Sequence, residues 1–120
     1  TMLKNLNRGN VGDISSNYKD WFIGTFVNHT LFNTLNKHHF EVKWSKRSKG
    51  HISQAKSYSS VSEINDEITI GVLIYGKAKV LIDDCTVLLE HEGDYIGYRP
   101  NIAHRVEFIE DSLMITFRYS

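Results

Sequence analysis

From residue 21 onward, hydrophobic and polar positions alternate with a period of two. Phe40, Val42 and Trp44 alternate with Glu41, Lys43 and Ser45, the spacing of a strand with one buried face. Ile64, Ile68, Ile70, Val72 and Ile74 share one parity along the next long stretch. Residues 21–27, WFIGTFV, form a run of aromatic and β-branched side chains. Further strands are predicted at 80–82, 86–89, 95–98, 105–109 and 113–119, roughly eight in all. Gly76, Asp83-Asp84, Glu92-Gly93-Asp94, Pro100-Asn101 and Glu110-Asp111 separate them as turns. Residues 30–37 have a weak helical spacing in Leu31, Phe32 and Leu35, broken by asparagine, and no long amphipathic helix is predicted anywhere. The first twenty residues are polar, rich in Asn, Gly and Ser, and without period. They read as a surface arm (1–20) ahead of one domain (21–120), with a subunit-swapped strand as the alternative. Many short antiparallel strands in one domain mean a sandwich or barrel, and a jelly roll fits the length.

Composition narrows the partners. With 41% hydrophobic and 12% aromatic residues, the 120-residue chain can bury a core. Lysines and arginines equal aspartates and glutamates, 14 against 14. The densest basic stretch, 43–49, alternates with Trp44, Ser45 and Ser48 and reads as the wet face of a strand, so no nucleic-acid partner is expected. Cys85 is the single cysteine, so no internal disulfide forms and a reducing compartment is the simplest expectation. No apolar stretch approaches the ~20 residues that cross a bilayer, and the first residues do not resemble a signal peptide. A cytoplasmic protein without a membrane partner is expected. In 68–75, ITIGVLIY, one parity is fully aliphatic and the other adds Leu73 and Tyr75. Something must cover the second face: the arm, a neighbouring sheet or another subunit. A homodimer is expected on this basis.

One segment is specific: Gly93-Asp94-Tyr95-Ile96-Gly97-Tyr98-Arg99-Pro100-Asn101-Ile102-Ala103-His104. Gly93 permits a tight turn, the next residues make a strand, and Pro100, the single proline, ends it. The segment resembles the second conserved motif of the cupin superfamily: a glycine, a strand, a proline turn, and a histidine eleven residues after the glycine. Asn101 stands where that family has a second glycine, and asparagine is the best non-glycine residue for left-handed backbone. Gly76 and the strand after it resemble the end of the first cupin motif. The resemblance covers about residues 40–119. It implies an all-β, double-stranded β-helix (jelly-roll) barrel with His104 pointing inward.

The same resemblance exposes departures. The first motif carries two histidines and a glutamate before its last glycine, and counting back from Gly76 these positions hold Glu63, Asn65 and Thr69. A family asparagine after His104 falls at Phe108. Only His104 remains of four usual ligands, and one imidazole does not hold a transition metal. No metal or other cofactor is therefore expected; a rebuilt site would combine His104 with Glu63 or Glu67, helped by His51 or one of His38 and His39. The expected barrel-lining residues are Trp44, Thr69, Tyr98, His104 and Arg118. Trp44 would offer a wall for a sugar or aromatic ligand, or else fill the core. Arg118 would hold a carboxylate or phosphate, or else face water. Tyr98 and His104 would form an acid and base pair, or be structural. Three functions follow: a metal-independent binding module with a sensor or accessory role, an epimerase- or isomerase-type enzyme using His104 as base, and a metal-dependent oxygenase with altered ligands. No phosphate-binding loop, nucleophile elbow, zinc cysteine pair or Rossmann glycine pattern is present.

Overall fold

The computed structural model describes residues 9–28, 39–54, 67–82, 84–99 and 102–120. Two antiparallel sheets enclose one core. The strands are β1 (Trp21–Ile23), β2 (Phe40–Arg47), β3 (Ile52–Gln54), β4 (Ile68–Tyr75), β5 (Ala78–Ile82), β6 (Cys85–Leu89), β7 (Tyr95–Tyr98), β8 (His104–Phe108) and β9 (Ser112–Tyr119). One sheet has the order β1-β2-β9-β4-β7, the other β3-β8-β5-β6. The all-β jelly-roll expectation is met.

β9 is the centre of the larger sheet and fixes which side chains point inward. It pairs with β2 from Phe40 opposite Tyr119 to Arg47 opposite Ser112, and with β4 from Ile68 opposite Tyr119 onward. Because side chains alternate across a strand, Met114, Thr116 and Arg118 share the inner face with Lys43 and Ser45 of β2 and with Thr69 and Leu73 of β4. Leu73 and Met114 meet Ala78, Val80, Ile82, Leu89 and Phe108 of the other sheet in a buried cluster. The aliphatic parity of β4, Ile68, Ile70, Val72 and Ile74, is half-buried and faces away from that core.

Two glycines hold the corners. Gly93 has φ +90 and its N–H donates to the Leu73 carbonyl at 2.8 Å, while the Leu73 N–H donates to the Asp94 carbonyl at 2.8 Å. Asp94 closes the same turn, its Oδ2 accepting from the N–H groups of Glu90 and His91 at 2.9 Å each. Those bonds favour the carboxylate and hold the Asp94 carboxyl below its ordinary value. Gly76, at φ +98, turns the chain from β4 into β5.

Three local expectations are corrected. Residues 9–20 are not irregular throughout: α1 (Val11–Ser15) is a one-turn helix capped by the Asn10 side chain, and it packs on β1 and β2. Five residues are too few to show a helical period. The 21–27 run pairs as a strand only through Ile23, because the chain then folds back with the Val27 N–H donating to the Gly24 carbonyl. β3 was not anticipated; it is three residues long and has too little alternation to register. Residues 30–37 lie outside the described residues.

Candidate binding cavity

A cavity of about 250 Å³ lies between the sheets. Its lining combines apolar side chains, among them Val80, Ile96, Val106, Phe108 and Met114, with polar and charged ones. Pockets for small ligands combine these two characters, an apolar wall with a few placed polar groups.

His104, first residue of β8, and Tyr98, last residue of β7, meet inside it. The Tyr98 hydroxyl lies 3.0 Å from His104 Nε2, and the two rings are 4.6 Å apart at their centres. His104 Nδ1 lies 3.3 Å from the Ile102 carbonyl. A carbonyl only accepts, so the proton sits on Nδ1, and Nε2 accepts from the tyrosine hydroxyl. Burial pushes the His104 pKa below its ordinary 6.5, and the charges of Arg118 and Lys43 push the same way against the Ile102 hydrogen bond. The imidazole is therefore neutral near pH 7.

That shift sets a pH dependence. As pH falls below about 6.5, the unfolded chain takes up a proton at residue 104 before the folded one does. Stability present above that pH is lost as pH falls toward the folded-state pKa, and no more is lost below it. Denaturation midpoints between pH 8 and 5 should fall more for the wild type than for His104→Gln. Parallel curves would refute this.

Around the pair, β2 and β9 turn cations inward. The Arg118 guanidinium stacks over the Trp21 ring at 4.7 Å and reaches Glu41 at 3.5 Å and Glu67 at 3.6 Å. His39 Nε2 approaches the same two carboxylates, at 2.8 Å for Glu67 and 3.4 Å for Glu41. Arg47 is paired with Asp20, which the turn after α1 presents through left-handed backbone at Lys19 and Asp20 (φ 53 and 76). Lys43 Nζ lies 5.6 Å from the Trp21 ring centre, and no carboxylate of the described residues pairs with it. Burial, then Arg47 and Arg118, hold its pKa below the ordinary lysine value, with Asp20 opposing.

Thr69, Tyr98, His104, Arg118 and Glu67 are brought together in the cavity. Glu63 and Asn65, with His38, lie outside the described residues. Trp44 is the correction among the expected lining residues. It has the opposite parity to Lys43 and Ser45 and pairs with Ile115, so it is turned away from the cavity. Trp21 of β1, opposite Lys43, supplies the aromatic wall instead. The 43–49 stretch is likewise not a wet face: Lys43, Ser45 and Arg47 look inward, and Lys46 is exposed. Alternation alone turns the apolar face of β2 inward, but its inner face is polar because it lines a cavity. The register, with Glu41 opposite Arg118 and Lys43 opposite Thr116, is what turns Lys43 inward together with Arg118.

The described residues do not fit the metal that cupin folds commonly carry. Thr69 and Phe108 occupy two ligand positions of the motifs, and among the described residues no three His, Cys, Asp or Glu side chains converge to hold a metal ion. Lys43 and Arg118 disfavour added positive charge at His104. The same field opposes a cation there and favours an anion.

No family model matches the chain, and no curated protein matches it significantly in sequence. Solved structures do resemble it. KdgF from Halomonas sp. is 18% identical with a TM-score of 0.55, over 67% of this chain and 68% of that one. A Cupin 2 conserved barrel domain protein from Salinispora arenicola is 22% identical with a TM-score of 0.52, over 68% and 63%. The Cupin_2 domain of an XRE family transcriptional regulator from Enterobacter cloacae is 13% identical with a TM-score of 0.56, over 68% and 81%. The similarity thus spans about two thirds of this chain and less than two thirds of the Salinispora protein. At these identities it shows the fold, which is that of the cupin barrels. No helix among the described residues is long and apolar enough to cross a membrane.

Proposed function

We propose that this cupin barrel is a small-molecule binding module that works without a metal centre, in a sensor or accessory role. One observation carries the reading: the cavity converges His104, Tyr98, Lys43 and Arg118 on one apolar-walled space, with a positive field where cupins commonly place a metal. Native mass spectrometry of the purified protein, beside elemental analysis, tests it. The expected result is a small organic molecule, retained or exchangeable, with no stoichiometric transition metal. About one Fe, Zn, Mn or Ni per chain, lost on His104→Ala, would overturn the reading.

A second reading has its own support. A neutral imidazole 3.0 Å from a phenol is an acid–base pair, as an epimerase or isomerase requires. Under it, a bound ligand would exchange a carbon-bound proton with D2O only while both Tyr98 and His104 are present. Exchange that survives Tyr98→Phe and His104→Gln would sink this reading.

The module works as a homodimer. The outer face of the larger sheet carries Trp44, Ile70, Val72, Ile115, Phe117 and Tyr119, contiguous by register and none fully buried. Apolar sheet faces of that extent are covered in stable proteins, and a two-fold copy is the commonest cover. Light scattering should give twice the 13.8 kDa chain mass, and Val72→Glu should return it to one.

A further inference from the structure

We infer that the ligand of this cavity is a hydroxylated monocarboxylate, with its carboxylate on Lys43. The inference rests on the cavity being a ligand site, and it assigns the chemical class that site would take. Of the cations turned inward by β2 and β9, Arg47 is paired with Asp20, and Arg118 is shared between Glu41 and Glu67. His39 stands against those same two carboxylates. Arg99 lies at the exposed rim, where water screens it. Lys43 remains, half-buried, facing the cavity and without a carboxylate among the described residues. A desolvated ammonium is costly unless it is paired. Among the described residues that partner is missing, and an anionic group of a ligand would supply it.

The carboxylates already beside these cations favour a singly charged anion. Glu41 and Glu67 stand beside Arg118 and Asp20 beside Arg47, so a carboxylate meets less repulsion there than a phosphate dianion, for which the described residues offer no second unpaired cation. The ring of Trp21 fixes where the carboxylate goes, because it lies beneath both Lys43 and Arg118 and holds them on one side of the cavity. Arg118 keeps donor capacity there, since its contacts with Glu41 and Glu67 are long, at 3.5 and 3.6 Å.

The remaining lining describes the rest of the molecule. Ser45, Thr69 and Thr116 place three hydroxyl groups around the cavity beside the Tyr98–His104 pair. Hydroxyls both donate and accept, which matches alcohol groups on a ligand better than a bare hydrocarbon. The apolar wall of Val80, Val106 and Met114 takes its C–H faces. A volume of about 250 Å³ admits a molecule of monosaccharide size.

Titration calorimetry on the full chain tests this with D-glucuronate, D-glucose 6-phosphate and D-glucose, which differ at carbon 6, together with gluconate and lactate. Binding is expected for carboxylates and not for glucose or its phosphate. Lys43→Gln should weaken the bound carboxylate roughly 10- to 100-fold, the value of one hydrogen bond to a charged group. Lys43→Arg, which keeps the charge, should retain most of the affinity, and Lys46→Gln on the exposed side should change nothing. If glucose or the phosphate binds and Lys43→Gln leaves it unaltered, the carboxylate assignment fails while the cavity stands as a ligand site. Carboxylate binding indifferent to Lys43→Gln also overturns the assignment. If no member of the three classes binds, both readings fail.

Discussion

Gly76→Ala is expected to destabilise the protein by about 3 kcal/mol or more, a large share of the ~5–15 kcal/mol that holds a domain folded. The backbone at Gly76 has φ +98, where a Cβ is strained in any case. Here the Cβ would also stand 2.1 Å from Ser112 Oγ and 2.5 Å from the Asp111 carbonyl oxygen. Ser112 cannot give way. It is fully buried, its hydroxyl lies 2.7 Å from the Glu110 carbonyl, and the Lys77 N–H donates to it at 3.0 Å. Those bonds tie the β4–β5 corner to the first residue of β9. Gly93→Ala is the informative comparison, because φ there is +90 but nothing lies within 4 Å of the added methyl. It should cost only about 1–2 kcal/mol. Denaturant midpoints with unchanged m-values would separate clash from backbone strain, and equal losses at the two sites would refute the clash.

Phe108→Ala is expected to cost about 3–5 kcal/mol, the range for emptying a core aromatic site. Phe108 is 4% exposed and belongs both to the packed cluster and to the cavity wall. Both of its backbone polar groups are bonded, the Phe108 N–H donating to the His51 carbonyl at 2.9 Å and its carbonyl accepting from the Gly50 N–H at 2.7 Å. The loss should therefore appear as side-chain packing rather than as a broken strand, and the cavity should lose part of its apolar wall. In denaturation experiments the m-value should hold while the midpoint falls. A change below about 1 kcal/mol would mean that the barrel closes over the gap.

These two residues also show what could be read from the sequence. Gly76, Gly93 and His104 are legible because each answers to a local demand: positive φ at two corners, and a strand start at a set distance from a proline turn. The parity within β9 is legible too, since Met114, Thr116 and Arg118 fall on one face of that strand, but only the register sets Thr69 of β4 beside them. Trp44 and Trp21 show the limit. An alternating strand reveals that its faces differ, but not which one is inside when the interior is a polar cavity and the exterior is apolar. Burial then reverses the usual sign, and the charged side of β2 turns inward. The Asp20–Arg47 pair joins residues 27 apart through a turn that no periodicity announces.

The turn after α1 bears on selectivity as well as on shape. Asp20 lies outside the strands, yet it neutralises Arg47, one of the cations that look into the cavity. Were the segment to lift from β2, Asp20 and Trp21 would leave together. The larger sheet would then lose its edge strand β1, Arg47 would lose its carboxylate, and Lys43 and Arg118 would lose the aromatic plate beneath them. Under the carboxylate proposal, the valence of the preferred anion is thus set by a short stretch at the sheet edge, and can change while β2, β4 and β9 stay as they are.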